Sequence, residues 1–451
     1  MKEGVFLITD LTEGKPSQAL LKFSLPMLWS AMFQQLYNIC DSVIAGKFAG
    51  EDALAAVGGS YPVTQIFMAV ALGCNVGASV VIAQLFGAKK YSDMKTAVNT
   101  AYISFSVLSI ILTLAGIFGG DIMLRRLATP DNIFADSSLY LKVYSAGMLF
   151  VFMYNICTGV FTALGDSKTP LYFLIASSIG NILLDLLFVA VFSMGVGGVA
   201  WATFIAQGAA CAAAFVILNR RLKTIETAAP PKLFSLRMFG NISFMAVPSI
   251  LQQSFVSVGN LFIQNLVNSF GSSVMAGYSA AIKLNTFAVT SFNTLGNGIS
   301  NFTAQNIGAR KTERIPQGFR AGTAIGLCVA LPVSLLYFFG GRFMLMLFLN
   351  DGGSRAVSTG MDFLRTVSPF YAFVCVKLAA DGVERGARKM LCFMISTFSD
   401  LILRVVLAYC FVGPFNEMGI WYSWPVGWVA SAVIAVTFYL MKVWKKGVGK
   451  Y

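Results

Sequence analysis

Apolar stretches of membrane-spanning length recur twelve times along the chain's 451 residues. A helix needs about twenty mostly apolar residues to cross the hydrocarbon core of a bilayer. The composition agrees, because 57% of the residues are hydrophobic and only 12% are charged, unlike those of a soluble domain. Backbone hydrogen bonds in a bilayer must be satisfied internally, so these stretches predict an all-α polytopic membrane protein. The predicted spans are 19–45, 54–84, 97–118, 138–161, 169–192, 196–218, 239–268, 274–306, 318–340, 362–383, 390–412 and 418–441.

Positive charge is concentrated in alternate connections between the spans. Lys89, Lys90 and Lys95 follow the second span, and comparable clusters follow the sixth, eighth, tenth and twelfth spans. Cytoplasmic loops of membrane proteins carry such an excess, so we expect both termini in the cytoplasm. The same rule accounts for the net charge of +13, and no nucleic acid partner is expected.

The two halves of the chain repeat each other. The sequence AQLFGAKK at 83–90 returns as AQNIGARK at 304–311, and Pro26 in the first span matches Pro248 in the seventh. An even number of spans per repeat gives both halves the same orientation, which predicts two pseudo-symmetric six-helix lobes around a central cavity. The predicted domains are an N-terminal lobe at 1–218, a cytoplasmic linker at 219–238 and a C-terminal lobe at 239–451. Both prolines are candidate hinges.

Several longer motifs resemble one family of transporters. They are FSLPMLWSAMFQQLYNICDSVIAGKFAG at 23–50, the two AQxxGA(K/R)K turns, ALGDSKTPLYFLIASSIGNILLDLLF at 163–188 and GVGGVAWATFIAQ at 195–207. Together they resemble the multidrug and toxic compound extrusion (MATE) family, in particular its DinF-like bacterial branch, over essentially the whole chain. The resemblance implies a transporter in the inner (plasma) membrane of a bacterial cell, and an enzyme is not expected.

Two carboxylates interrupt the apolar stretches of the first half. Asp41 and Asp185 are predicted at similar depths, and burying an Asp at a helix centre costs about 2.5–3.5 kcal/mol, so such residues usually mark an ion or substrate pathway. Tyr37 lies one turn from Asp41, Asn181 lies one turn from Asp185, and Thr203 reaches a similar depth. These oxygens suit H⁺ or Na⁺. The alternative is that both acids only pack helices and are satisfied by neighbouring hydroxyls and amides.

The MATE resemblance gives these residues a role. Residues matching Tyr37, Asp41, Asn181, Asp185 and Thr203 form the cation-coupling site of the family's N-terminal lobe, and Asp41, Asn181, Asp185 and Thr203 are the candidate Na⁺ ligands. In the C-terminal lobe, Gln252, Gln253 and Val374 stand where another branch of the family has acids, so we expect no second cation site there. The chain has no histidine and no CxxC pair, and the coupling ion is the only cofactor expected.

A second set of residues is predicted to line the substrate cavity. Methionine and aromatic side chains adapt to differently shaped apolar ligands and attract organic cations, although each of them is also ordinary packing for a membrane helix. Lys377 with Asp381 and Arg404 with Asp400 are predicted to form ion pairs, because each pair lies one turn apart. The candidate cavity residues are Met32, Gln34, Asn38, Met68, Met153, Tyr154, Gln252, Gln253 and Lys283.

The predicted function is a cation-coupled antiporter, driven by H⁺ or Na⁺, that exports amphiphilic, cationic organic compounds by alternating access. Its expected partners are the lipid bilayer and small-molecule substrates, and the expected state is a monomer. The alternative is a flippase for a lipid-linked sugar or another amphiphile on the same scaffold. A membrane enzyme is disfavoured because the short external loops hold no polar cluster, and a channel because no filter segment or charged ring repeats.

Overall fold

The computed structural model describes residues 10–44, 48, 51–127, 129–349 and 355–445, without the side chains of 39–43 and 51–54. This part of the chain folds into helices and contains no strand. Short 3₁₀ and π-helical segments extend some of them. The α-helices are α1 Pro16–Ile44, α2 Glu51–Gly87, α3 Tyr91–Arg126, α4 Asp131–Ala146, α5 Met148–Ala163, α6 Lys168–Asp185, α7 Gly195–Thr224, α8 Leu236–Asn268, α9 Ser272–Gly308, α10 Ile315–Leu345, α11 Arg355–Val367, α12 Tyr371–Gly386, α13 Met390–Phe415 and α14 Glu417–Leu440.

Each of the twelve predicted spans coincides with one helical segment of the described chain. Nine segments are long and apolar enough to cross a membrane, and α4 with α5 makes a tenth that bends by 46° at Gly147. The other two are α1 and α9, of 29 and 37 residues. α9 is less apolar because it buries polar side chains, among them Asn285 and Asn306. The predicted all-α polytopic membrane fold is confirmed.

By its contacts the chain divides into two compact units. The first unit contains Trp29–Ile250, and the second unit contains Asp10–Leu28 together with Leu251–Tyr451. The division falls inside α1 and α8, whereas the predicted boundaries 1–218, 219–238 and 239–451 follow the sequence repeat. The predicted linker is also partly helical, because α7 continues to Thr224 and α8 begins at Leu236.

The backbone repeats between the two units at matching turns. Lys89 and Arg310, at the ends of the two AQxxGA(K/R)K motifs, both have positive φ, 56° and 59°. Few residues other than glycine adopt this conformation, so its presence at the same position of both motifs marks the two turns as equivalent. Pro26 lies inside α1 and Pro248 inside α8. The predicted duplication is therefore visible in the helices and in their turns.

Small residues bring α2 and α8 together within the first unit. A Cβ added to Gly77 would lie 2.7 Å from Ala246 Cβ, and a Cβ on Gly73 would lie 2.7 Å from the backbone nitrogen of Ile250. These distances are too short for any side chain, so the two backbones touch directly. Gly73 and Gly77, four residues apart on α2, therefore let the two helices pack closely.

Candidate cation-binding site

Asn181 and Asp185 lie one helical turn apart on α6 and are almost completely buried. The exposed fraction is 2% for Asn181 and 1% for Asp185. α6 ends at Asp185, and the helix continues as a π-helical segment over Leu186–Val191. π-Helical segments are rare in proteins, but many of those that occur lie at functional sites. The change of helix geometry therefore falls directly beside the acid.

Polar contacts join this pair to α1 and α7. With its nitrogen directed at the acid, the Asn181 amide lies 3.1 Å from Asp185 Oδ2, and its oxygen lies 3.1 Å from the backbone nitrogen of Thr203. The hydroxyl of Tyr37 contacts the same amide. We call Tyr37, Asn181, Asp185 and Thr203 the Asn181 cluster. Thr203 joins it through its backbone N–H, whereas the sequence suggested its hydroxyl.

Asp41, the fifth predicted coupling residue, belongs to α1, but its side chain lies outside the described residues. The approach of Asp41 to Asp185 therefore stays a prediction, and so does its place among the Na⁺ ligands. Tyr37 lies one turn before Asp41 on the same helix. Its contact with Asn181 shows that α1 reaches the cluster at this level.

Glycines hold α7 against the π-helical segment. Gly195 begins α7 with a φ of +55°, a conformation that favours glycine. A Cβ on Gly198 would lie 3.1 Å from Val189 Cγ2 and 3.2 Å from the carbonyl carbon of Phe188. A larger residue would push the two segments apart. The close approach brings the backbone of Thr203, further along α7, to Asn181.

A buried ion pair fixes the other end of α6. Asp166 is fully buried and accepts hydrogen bonds from the backbone N–H groups of Lys168 and Thr169, both at 3.0 Å. It also accepts the Thr169 hydroxyl at 2.6 Å and pairs with Arg221 of α7. A carboxylate at a helix N-terminus complements the helix dipole. Sequence reasoning missed this role, although an Asp just before an apolar helical run is a recognised start signal.

The cluster contains one buried acid that a proton or a small cation could neutralise. Among its described side chains only Asp185 is a carboxyl group, and the Asn181 amide donates to one of its oxygens. A proton on Asp185 would remove the charge. A small cation would be held instead by Asp185 and the neighbouring oxygens, which are the ligands that hard cations prefer. Within the described residues no group of three or more His, Cys, Asp or Glu side chains could hold a metal.

The predicted cavity residues fall in both units. Met32, Met68, Met153 and Tyr154 are half-buried in the first unit, where Gln34 and Asn38 are exposed. In the second unit Gln252 and Gln253 are half-buried. Lys283 is exposed, and its ammonium lies 5.5 Å from the centre of the Phe348 ring. Their assignment to a substrate cavity stays a prediction.

The second unit buries several charges in its helices. Lys377 Nζ lies 2.7 Å from Asp381 Oδ2, and Arg404 Nη2 lies 2.8 Å from Asp400 Oδ2, so both predicted ion pairs are present. Sequence reasoning missed Glu384, which is 1% exposed and whose two carboxyl oxygens have no hydrogen-bond partner among the described residues.

The family of the chain follows from a match in each half. The sequence profile of the MatE family matches residues 26–187 and 248–410, and the second match includes Arg404. The chain belongs to the MatE family. The family that the sequence motifs predicted is thereby confirmed.

Two relatives from Bacillus subtilis (strain 168) match nearly the whole chain. "Probable multidrug resistance protein YpnP" is 28% identical over 438 residues, which cover 97% of each chain. "Probable multidrug resistance protein YoeA" is 26% identical over 447 residues, which cover 96% of each chain. The match therefore extends over both repeats of the MatE chain.

Solved structures show the same fold. A crystal structure of MATE in the straight conformation has a TM-score of 0.90 at 21% identity and covers 98% of this chain and 99% of its own. A MOP superfamily transporter from Pyrococcus furiosus Vc1, described as having a binding pocket of reverse polarity that suggests a different function, also has a TM-score of 0.90, at 22% identity with the same coverage. The twelve-helix fold of a multi-pass membrane protein is thus shared.

Proposed function

We propose that this MatE protein is an antiporter that exports amphiphilic, cationic organic compounds in exchange for H⁺ or Na⁺ by alternating access. The observation that carries the proposal is the Asn181 cluster, in which the buried Asp185 is connected to α1 and α7 through one amide of its own helix. The relatives named as multidrug resistance proteins support the export of drug-like compounds.

Burial explains how the cluster would couple to an ion. A charged Asp at a helix centre costs about 2.5–3.5 kcal/mol, so each conformation that buries Asp185 favours the state in which H⁺ or Na⁺ neutralises it. Opening the cluster to water removes that preference and releases the ion. Ion binding and conformation are thereby linked, which is what an antiporter requires.

Tyr37 offers a route from the ion to α1. Its hydroxyl contacts the Asn181 amide, which also donates to Asp185. Neutralising Asp185 therefore changes the contacts of the amide and of the Tyr37 hydroxyl. Pro26 lies earlier in α1 and removes a helix hydrogen bond, which makes that turn easier to bend. We infer that ion occupancy sets the position of the outer half of α1, with Pro26 as the hinge.

The driving force depends on how many ions are exchanged for each substrate molecule. One pH unit supplies ~1.4 kcal/mol, and 100 mV supplies ~2.3 kcal/mol for each charge that moves. If one H⁺ exchanges for one monovalent organic cation, no net charge moves and only the concentration gradients drive export. The alternating Lys and Arg clusters support an inner membrane location with cytoplasmic termini. A monomer is sufficient for this scheme.

The test uses the purified full chain in proteoliposomes, with pH and Na⁺ gradients imposed separately while efflux of a cationic dye is followed. Asp185→Asn keeps the size of the side chain but cannot bind the ion, and we expect gradient-driven efflux to be lost. Asp121→Asn is the matched control, because Asp121 is half-exposed beside Lys142 at 3.0 Å. Gradient-driven efflux retained by Asp185→Asn would refute the proposal.

The flippase alternative keeps one observation in its favour. Lys283 is an exposed cation in α9, and such a group attracts the phosphates of a lipid-linked sugar. Competition between dye efflux and a lipid-linked sugar in the same proteoliposomes separates the two functions. Under the antiporter proposal the lipid does not slow dye efflux.

A further inference from the structure

Landmarks in the backbone align α6 of the first unit with α13 of the second unit. The residues with positive φ before these helices are Gly165 and Arg388, at 83° and 60°, and those after them are Ser193 and Asn416, at 53° and 50°. The interval from Gly165 to Ser193 contains as many residues as the interval from Arg388 to Asn416. Depth along the two helices can therefore be compared residue by residue.

Counted from both landmarks, Arg404 takes the place of Asn181. Trp201 and Trp424 also stand at equal intervals after Ser193 and Asn416, which aligns α7 with α14. Pro26 and Pro248 align α1 with α8 in the same way. The second-unit counterparts of Tyr37, Asn181, Asp185 and Thr203 are Gly259, Arg404, Ala408 and Val426.

Every side-chain oxygen of the Asn181 cluster is therefore missing from its counterpart, and a guanidinium stands there instead. Arg404 Nη2 lies 2.8 Å from Asp400 Oδ2, and their side chains are only 8% and 11% exposed. The guanidinium carbon lies 4.4 Å from the centre of the Trp424 ring, which adds a cation–π contact. The counterpart thus already contains a cation with its own acid.

Glycines on the neighbouring helices make room for this pair. A Cβ on Gly427 would lie 2.6 Å from Asp400 Oδ1, and a Cβ on Gly259 would lie 2.9 Å from Leu401 Cγ. Where the first unit has the Tyr37 side chain, the second unit has the bare backbone of Gly259 against α13. The space that holds the Asn181 cluster in one unit is filled by α13 side chains in the other.

We propose that Arg404 is a resident cation, occupying in the second unit the level at which the first unit binds its exchangeable ion, so that the first unit alone sets the ion-to-substrate ratio. This inference rests on the proposed function. A guanidinium keeps its charge at every physiological pH and is covalently held, so it cannot be exchanged as H⁺ or Na⁺ can. Asp400 is therefore a latent ion site, kept closed by its own arginine.

The test removes the resident cation and counts ions. The ion-to-substrate ratio is obtained from the gradient at which net transport in proteoliposomes reverses. Arg404→Gln leaves Asp400 without a cation, and we expect the ratio to rise by one ion per substrate. Arg404→Lys keeps the charge, and the double variant D400N/R404Q removes both charges, so each is expected to keep the wild-type ratio.

A triple variant, which we call the graft, provides a second test in case Arg404→Gln does not fold. The counterpart of Asp400 in the first unit is Ser177, so D400S/R404N/A408D copies the first unit's Ser177, Asn181 and Asp185 into α13. This variant is also expected to gain one ion per substrate. A folded Arg404→Gln or a folded graft with the wild-type ratio would show that Arg404 is only a packing residue and would overturn the proposal.

Infrared spectroscopy gives a readout that does not need transport. Arg404→Gln should show one protonated carboxyl band in addition to those of the wild type and of D400N/R404Q, and its intensity should change with pH or Na⁺. If the wild type shows no ion-driven efflux, the proposed function fails. A band that does not respond to pH or Na⁺ leaves that function standing and overturns the resident-cation inference.

Discussion

Asp166→Asn should destabilise the protein far more than the same change at a surface ion pair. Asp166 is fully buried and pairs with Arg221, whose side chain is only 12% exposed. Removing one partner of a buried pair leaves an uncompensated charge, which costs about 3–5 kcal/mol. Because Arg221 is slightly exposed, we expect the loss in the free energy of unfolding to lie near the lower limit of this range. Arg221→Met should cost a similar amount, because it leaves Asp166 charged and buried.

The double variant D166N/R221M measures the interaction between Asp166 and Arg221 separately from the contacts that each makes with other residues. It leaves no unpaired charge, so we expect it to cost about as much as one single variant, which implies a coupling energy of about 3 kcal/mol. The measurement is the free energy of unfolding of the purified full chain, by reversible SDS titration in mixed micelles.

Asp121 and Lys142 provide the control cycle. They lie 3.0 Å apart with side chains 45% and 41% exposed. An exposed ion pair is worth about 0.2–1 kcal/mol, so D121N, K142M and their double variant should show a coupling energy in that range. Equal coupling energies in the two cycles would refute the reasoning, because burial would then have no effect on the strength of the pair.

Three further changes test other parts of the structure. Tyr37→Phe removes the hydroxyl that contacts the cluster amide, worth about 1 kcal/mol, and should raise the ion concentration needed for half-maximal dye efflux about five-fold. Gly77→Leu should lower the melting temperature, since its Cβ would lie 2.7 Å from Ala246 Cβ, whereas Gly58→Leu on the same helix, with nothing within 4 Å, should not. Glu384→Gln keeps the size of the side chain and should leave the melting temperature nearly unchanged, because neither carboxyl oxygen of Glu384 has a hydrogen-bond partner to lose among the described residues; a large fall would contradict this reasoning.

The spans were predictable because each depends on a local property. About twenty apolar residues in a row are sufficient to predict a membrane helix, and even α9 was included despite its buried Asn285. The bend at Gly147 and the π-helical segment over Leu186–Val191 were not predicted. Both depend on how the backbone adjusts to neighbouring helices, which leaves no periodic signal in the sequence.

The candidate site was predictable in its residue types but not in its contacts. Asp185 and Asn181 stood out because polar groups in apolar runs are costly, and their spacing placed them on one face. Their third contact, through the backbone N–H of Thr203, could not be read from side chains. The pair of Asp166 and Arg221 was missed because its members are 55 residues apart and each alone looks like an ordinary loop charge.

The two units arrange their buried charges differently, and under the proposed function this difference gives them different roles in transport. In the aligned helices α6 and α13, the first unit has the buried acid Asp185 beside the Asn181 amide, and the second unit has Asp400 paired with Arg404 of the same helix. The charges of Asp400 and Arg404 offset each other within one helix, so exposing the pair to either side of the membrane would change its energy little. Under the proposed function the bound ion neutralises Asp185, so the energy of this acid would differ between conformations by the cost of burying a charge. On that proposal only the first unit converts an ion gradient into a preference for one conformation.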